Sequence, residues 1–499
     1  MKPSGLGSSR CHRILLSSVL SVAVLYLLLL IPEAEPLPVK RADKKPFTWN
    51  QDAFWSVLEQ QFKEARAAGC DTLAAGIDAS FARIQRLLDE IALDSLDPDS
   101  SKLDLLETNL FEFAPRMAAC EKRLADYIPL FMRVRADVKK QSQRWDMNSI
   151  AARQRIYRLL YGSRAALEEA MLQAPPDSVP ALVLNHAEAA QTPSTNILGV
   201  ALHSGDMLVS RGGAATSALI ARGNDYPGNF SHVALVHVDE TTRIPSIIEA
   251  HIEKGVTIAS WQEYLRDKKL RVMLLRLRAD LPQLKADPIL PHKAASAALR
   301  EARKRHIPYD FEMNYRDPHK LFCSEVASAA YHSFGLTLWT GVSHISSPGV
   351  ASWLAAFGVK HFETQEPSDL EYDPQLMVVA EWRNPETLFK DHADNAVIDA
   401  MLAGADQGER LDHPWHLLPL ARLAKAYSVV LNLLGGVGPI PEGMSATAAL
   451  RNKRFSRRHA ALNARLLELA AEFKRQNGYT APYWELVKRA RQAKLETDR

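Results

Sequence analysis

A chain of 499 residues with 47% apolar side chains is too long for one ordinary hydrophobic core and too apolar for a disordered one, so about two or three folded units are expected. Its 61 Lys and Arg nearly balance 58 Asp and Glu, for a formal net charge of +3. That balance argues against nucleic acid as a partner, because a phosphate binder usually carries a strongly basic face.

At the N-terminus Lys2, Arg10 and Arg13 precede an uncharged run, Ile14 to Ile31, rich in Leu and Val. It sits at the lower edge of what spans a hydrocarbon core and exceeds the usual apolar region of a signal peptide. Residues 1–45 therefore read as a signal or membrane anchor with a basic flank, and the partner at this end is a membrane. Pro32-Glu33-Ala34-Glu35-Pro36 offers no clean small-x-small cleavage site, which favours the anchor. The leading basic residues favour a cytoplasmic N-terminus, against the opposing pull of Lys40, Arg41, Lys44 and Lys45. The body is expected outside the cytoplasm: anchored in an inner membrane and facing the periplasm, or secreted or periplasmic if the segment is cleaved. Beyond this segment lie Cys70, Cys120 and Cys323, an odd number. The simplest arithmetic is a Cys70–Cys120 disulfide with Cys323 free, and two unpaired buried thiols are the alternative.

Residues 46–173 have helical periodicity. Phe54, Leu58 and Phe62 share one face, and Ile77, Phe81, Ile84, Leu88 and Ile91 recur at three- and four-residue spacing. Asn50 is placed to cap the first helix and Gly69 to end it, with further helices over Leu103–Phe113, Met117–Val138 and Ser149–Leu172. A packed bundle is the plainer expectation, a lid or partner-binding module the other, and no protein partner is named by the pattern. Pro175, Pro176 and Pro180 then open a linker, 174–192.

Between 193 and 390 the pattern changes. Short apolar runs at Asp206–Ser210, His232–Val238, Ser246–Ala250, Arg271–Leu277 and Leu376–Trp382 read as strands, and Pro291–Arg305 and Ser324–Phe334 as helices, giving an α+β unit. Thr216–Asn229, with Gly223 and Gly228, reads as a loop bordering a cleft. Residues 391–499 return to helix, with a stripe of Leu462, Leu466, Leu469 and Phe473 that Gly478 can end. Two basic clusters, Arg451 to Arg458 and Lys488 to Lys494, suit either anionic lipid or acidic polymer, or simply a solvated face.

Chemistry converges on the α+β unit. Cys323 stands at the first turn of a helix, where free backbone N–H groups and the positive end of the helix dipole lower a thiol pKa and bind an oxyanion. His232 opens an apolar strand and is placed to act as base. Glu249 ends what would be the neighbouring strand, and antiparallel pairing would bring it to the imidazole. Buried small-residue packing for Cys323, a strand-end turn for His232 and an exposed edge carboxylate for Glu249 are the bland alternatives. His203 reads as a loop residue beside the cleft, Asp206 as a buttress of its strand, and Tyr309 and Asp310 as pocket or turn residues after Pro308. His237 and His251 flank the strands of the base and its orienter. Neither His-Glu-x-x-His, Cys-x-x-Cys nor a phosphate loop occurs, so no metal and no cofactor is called for.

The ordered set Gly205-Asp206, Ser231-His232-Val233-Ala234-Leu235-Val236, Ile248-Glu249-Ala250 with Gly255-Val256, Pro308-Tyr309-Asp310-Phe311 and Phe322-Cys323-Ser324-Glu325 resembles the permuted papain-like amidases of the NlpC superfamily, the YiiX-like subgroup in particular. The resemblance spans 193–350. It implies a circularly permuted papain-like catalytic domain flanked by helical N- and C-terminal regions, with Cys323 as nucleophile, His232 as base and Glu249 as orienting residue. The related lipid acyltransferases use a second His, a role His251 could fill. The expected activity is a thiol hydrolase that cleaves an amide, of a cell-wall peptide, through a thioester. A lipid-ester hydrolase or acyltransferase on the same residues is the first alternative, and a non-catalytic peptide- or lipid-binding module the second.

Overall fold

The computed structural model describes residues 7–33, 46–47, 53–185 and 188–497, with side chains from Leu16 and Ser56 onward in the first two helices. Lys2, the basic residues 40–45 and the Asn50 cap lie outside the described residues, as do the side chains of Arg10, Arg13 and Phe54. From Leu16 on, helix α1 (Gly7–Leu29) exposes its apolar side chains, among them Leu20, Val22, Leu25 and Leu28. Among the described residues no helix is long and apolar enough to cross a membrane.

The bundle follows as α2 (Ala53–Ala68), α3 (Cys70–Leu93), α4 (Ser101–Ala119), α5 (Leu124–Ser142), α6 (Ile150–Tyr157) and α7 (Ser163–Gln173). Gly69 separates the first two with a φ of 77°, which its missing Cβ allows. The predicted stripe of Ile77, Ile84, Leu88 and Ile91 faces the core. Cys70 and Cys120 are joined by a disulfide with their Cα atoms 4.9 Å apart, leaving Cys323 as a free, buried thiol.

The central unit comprises β1 (Leu182–Leu184), β2 (Ser194–Ile197), β3 (Val200–His203), β4 (Met207–Gly212), α8 (Ala215–Arg222), β5 (His232–Val238), β6 (Pro245–His251), β7 (Gly255–Ala259), α9 (Trp261–Arg266), β8 (Lys269–Leu277), α10 (Pro282–Ala286), α11 (Leu290–Lys304), α12 (Cys323–His332), β9 (Ser343–His344), α13 (Pro348–Phe357), β10 (Glu363–Thr364), α14 (Asp369–Tyr372) and β11 (Leu376–Arg383). Its main sheet is 7-stranded, in the order β1-β11-β8-β4-β5-β6-β7, with antiparallel neighbours throughout. Val233 and Leu235 of β5 pack with Met207 and Leu275 against residues of α11 and α12, while Ala234 and Val236 pack with Leu208, Leu274 and Tyr264 on the opposite face. Both faces are covered, which is why β5 reads as a continuous apolar run instead of an alternating one. The architecture is the expected one, a permuted papain-like α+β domain with helical flanks.

Three segments depart from the sequence reading. The proline-rich stretch 174–192 supplies edge strand β1, paired through Val183 opposite Glu381. The first half of Thr216–Asn229 is helix α8, buried through Ala218 and Leu219, and only 223–229 is loop, bordering a cavity that does not contain the thiol. Helix α15 (Pro385–Asp406), capped by Asn384, runs across residue 390. It is followed by α16 (Leu418–Leu433), α17 (Ala446–Asn477), which Gly478 ends at a φ of 73°, and α18 (Tyr483–Thr497).

Buried charge ties these segments together. Glu168 of α7 accepts from Arg271 of β8 at 2.6 and 3.0 Å, from Arg383 of β11 at 3.1 Å and from His392 of α15 at 3.1 Å. Asp391 of α15 pairs with Arg211 of β4 at 3.2 Å and with Arg271 at 2.6 Å. Several cations around each carboxylate hold Glu168 well below the usual carboxylate range despite its burial. Such a network adds little net stability, but removing one partner strands the others uncompensated.

Candidate active site

The local structure that positions Cys323 starts in a loop. Gly255 adopts a φ of 71°, and a Cβ there would lie 2.1 Å from the carbonyl oxygen of Ile307. With that approach open, Val256 N–H donates to Ile307 O at 2.9 Å and Leu321 N–H to Pro308 O at 3.1 Å, so residues 307–309 are clamped between β7 and the entrance to α12. Asp310 accepts N–H groups of Glu312 at 2.9 Å and Asn314 at 2.6 Å, a turn-forming role. At the helix start, Glu325 reaches back to the N–H of Phe322 at 2.8 Å. Cys323 is therefore held as the first residue of α12.

The thiol is 5% exposed, and its Sγ lies 3.9 Å from the carbonyl oxygen of Ser231, the residue before His232. Burial pushes its pKa up to about 11, although backbone N–H groups of Val233 and Ser324 and the Ser324 hydroxyl oppose the shift. The expectation of a lowered pKa is thus corrected. Helix-start position is as predicted, but desolvation outweighs the N–H groups.

His232 opens β5 and Glu249 lies on β6. Ala234 stands opposite Glu249 in the register, so His232, two residues away, is Glu249's diagonal neighbour on one face of the sheet. His232 Nε2 is 2.7 Å from Glu249 Oε2, and His251 Nε2 is 3.0 Å from the other carboxylate oxygen. Burial lowers the His232 pKa, leaving a neutral imidazole near pH 7. Burial alone would raise Glu249, yet hydrogen bonds from His232 and His251 hold it well below the usual carboxylate range. Burial opposes charge on His251 as well, but the Glu249 carboxylate raises its pKa.

The remaining singled-out residues fall elsewhere. Asp206 accepts two bonds from Arg276 at 2.8 Å, as a buttress should. His203 Nδ1 meets Thr192 O at 3.1 Å, and His237 Nε2 meets Ser296 Oγ at 3.2 Å, both away from the thiol. Tyr309 is the exception, packed under α12, where burial raises its pKa and Cys323 is near enough for a charge on the thiol to add to the shift. Sequence reasoning missed Glu366, a buried carboxyl whose Oε2 has no hydrogen-bond partner among the described residues and whose charge would further raise the Cys323 pKa. Burial raises its own pKa well above the usual range. No motif surrounds it, so nothing in the sequence signals it. It also missed that His232, Glu249 and His251 together offer three donor atoms within 4.8 Å of one another. A cavity of about 880 Å³ lies between the bundle and the C-terminal helices, lined by Phe62, Tyr161, His392 and Tyr483, and contains neither Cys323 nor His232.

A thiol at a helix start, beside a strand whose first residue is an imidazole bonded to a carboxylate on the next strand, is the arrangement that a cysteine hydrolase of the papain-like type would use. Residues 201–380 match the family model of permuted papain-like amidase enzymes, YaeF/YiiX, C92, which supports a cysteine peptidase- or amidase-like hydrolase. Among solved structures, that titled metalloprotein yiiX from Escherichia coli O157:H7, DUF1105, is 16% identical with a TM-score of 0.29, covering 35% of this chain and 95% of that one. No curated protein matches the chain.

Proposed function

We propose that the chain cleaves an amide bond of a cell-wall peptide by attack of Cys323 on the carbonyl, with His232 as base and Glu249 as its orienter. The observation that carries this reading is the 2.7 Å contact of His232 Nε2 with a buried, ionised Glu249, on the strand whose preceding carbonyl touches the thiol. The raised thiol pKa and lowered imidazole pKa favour a neutral resting pair. His232 takes the thiol proton as the C–S bond forms, and N–H groups at the start of α12 bind the oxyanion. The tetrahedral species expels the amine, which receives that proton from His232, and leaves a thioester on Cys323. Water, deprotonated by His232, then adds to the thioester, and the thiol leaves with the proton returned. Glu249 keeps the ring oriented and stabilises the imidazolium.

Transfer or hydrolysis of a lipid ester on the same residues is the second reading, favoured by the exposed apolar side chains of α1 from Leu16 to Leu28 and by His251 on the second oxygen of Glu249. In either case α1 attaches the chain to a membrane with the hydrolase outside the cytoplasm. Hydrolysis of cell-wall peptides against phospholipids by the full chain and by Cys323→Ala separates the readings. Peptide turnover lost in the variant supports the first, phospholipid turnover lost in the variant supports the second, and turnover kept in the variant refutes both.

A further inference from the structure

Helix α16 has two faces of opposite character. Leu418, Ala421 and Ser428 are buried against α17 and its approach, with Ile440, Met444, Ala446 and Leu450, and Lys425 on the same side donates to the carbonyls of Pro441 at 2.8 Å and Glu442 at 2.6 Å. The other face carries Leu420, Leu423, Tyr427, Val430 and Leu434, at the three- and four-residue spacing of a continuous stripe, and every one is exposed, Leu420 at 64% and Leu434 at 78%. No charged side chain interrupts it. Trp415 before the helix, 64% exposed, and Leu433, 82% exposed, extend the same surface. A helix in water turns its apolar stripe inward, and this one turns it outward, which is the arrangement of a helix lying in a bilayer interface. Trp415 and Tyr427 are the side chains that such an interface favours.

Continuity with α1 says what covers the stripe. The guanidinium of Arg422 donates to the carbonyls of Leu28, at 3.1 Å, and Ile31, satisfying the exposed C-terminal end of α1. Glu33, just beyond, lies 3.6 Å from Arg422 Nε and accepts the N–H of Thr447 at 3.3 Å and its hydroxyl. The exit of the apolar helix is thus fastened to α16 and α17, and the two exposed apolar surfaces adjoin. An apolar solvent that receives α1 receives this stripe as well.

We infer that the α16 face, from Trp415 to Leu434, embeds in the lipid surface that α1 enters, making the chain a two-point membrane protein; the inference rests on the membrane attachment of α1 proposed above. The contact reaches the catalytic domain. Phe311, two residues after Tyr309, packs into the same cluster as the inner face of α16, and a Cβ on Gly443 would fall 2.3 Å from its ring. The segment that supports the start of α12 is thereby seated against the membrane-bound helix.

The test uses the full chain, with Cys11→Ser and Cys323→Ala to leave no competing thiol, in vesicles of phosphatidylethanolamine and phosphatidylglycerol. A nitroxide is placed in turn on Leu423→Cys in the stripe, Val22→Cys in α1 and Leu93→Cys at the far end of α3. Oxygen, concentrated in lipid, is expected to relax the 423 and 22 labels several-fold more than a water-soluble nickel chelate does, with the reverse at 93. A lipid-exposed 22 label beside a water-exposed 423 label overturns the inference and leaves the α1 attachment standing. Water exposure at both positions overturns both. Dipolar broadening at 423, with shielding from oxygen and nickel alike, means that a second copy covers the stripe and also overturns the inference.

Discussion

Glu249 holds two imidazoles at once, His232 at 2.7 Å through one oxygen and His251 at 3.0 Å through the other. The carboxylate is 1% exposed and accepts from both rings. Replacing it with Gln keeps the shape but removes the charge that stabilises an imidazolium on His232. Glu249→Gln is expected to lower kcat by on the order of 10²-fold or more with a much smaller change in KM, as for orienting carboxylates generally. His251→Gln should cost far less if His251 only shares the carboxylate. Steady-state kinetics of the two variants decide the ranking.

A thiol with its pKa pushed up to about 11 is scarcely ionised at pH 7. Alkylation of Cys323 by iodoacetamide should therefore be slower than that of a free thiol near neutrality and rise steadily through pH 10. A rate that is already flat between pH 6 and 8, and that His232→Ala abolishes, would mean a preformed ion pair in place of the neutral one.

Gly255 occupies a left-handed conformation with the Ile307 carbonyl against the position of a Cβ. Gly255→Ala should displace residues 307–309, costing about 1–3 kcal/mol in stability and, through the entrance to α12, most of the activity. Thermal unfolding and turnover of this variant check both halves. A stable but inactive protein is the outcome most informative about positioning.

His392 has its pKa raised to about 9 by Glu168 and Glu169, against the opposing effect of burial. In the unfolded chain it titrates near 6.5, so the stabilisation is complete below that value and is lost as pH rises through about 9. Stability should fall by on the order of 3 kcal/mol across this window. His392→Gln should be less stable at pH 6 and flatter above it, as read by urea unfolding at each pH.

The donors of His232, Glu249 and His251 suit a divalent ion such as zinc, with two imidazoles and a carboxylate. An ion there would take the Nε2 lone pair of His232 or its carboxylate partner, so added zinc should inhibit and chelation should restore turnover. Activity that instead requires zinc and vanishes after dialysis against a chelator would reassign the three residues as a metal centre.

Much of the central sheet was legible because its strands are bounded by turn residues and buried on both faces. The run His232 to Val238 is β5 as read, and Leu376–Trp382 differs from β11 by one residue. The His232–Glu249 contact followed from antiparallel pairing of neighbouring runs. What the sequence could not carry was burial. The position of Cys323 at a helix start was readable, but the depth that raises its pKa depends on β5 packing over it. The glycines and Asn224, Asp225 and Asn229 concealed helix α8, which occupies only the first part of their stretch. Charges that form the Glu168 network are spread from α7 to α15, too far apart in sequence to be associated. Of the C-terminal basic residues, Arg451 donates to the carbonyl of Ala356 at 3.0 Å and Arg458 pairs with Glu409 at 3.0 Å, so part of that cluster is committed to packing.

The central claim, covalent catalysis by Cys323, is tested most directly by intact-mass analysis of the full chain quenched in acid during turnover of cell-wall peptides. The account predicts an added acyl mass that maps to Cys323, is released by hydroxylamine and is absent from Cys323→Ala, which also loses turnover. Continued hydrolysis by Cys323→Ala, or turnover with the acyl group on another residue, would contradict it.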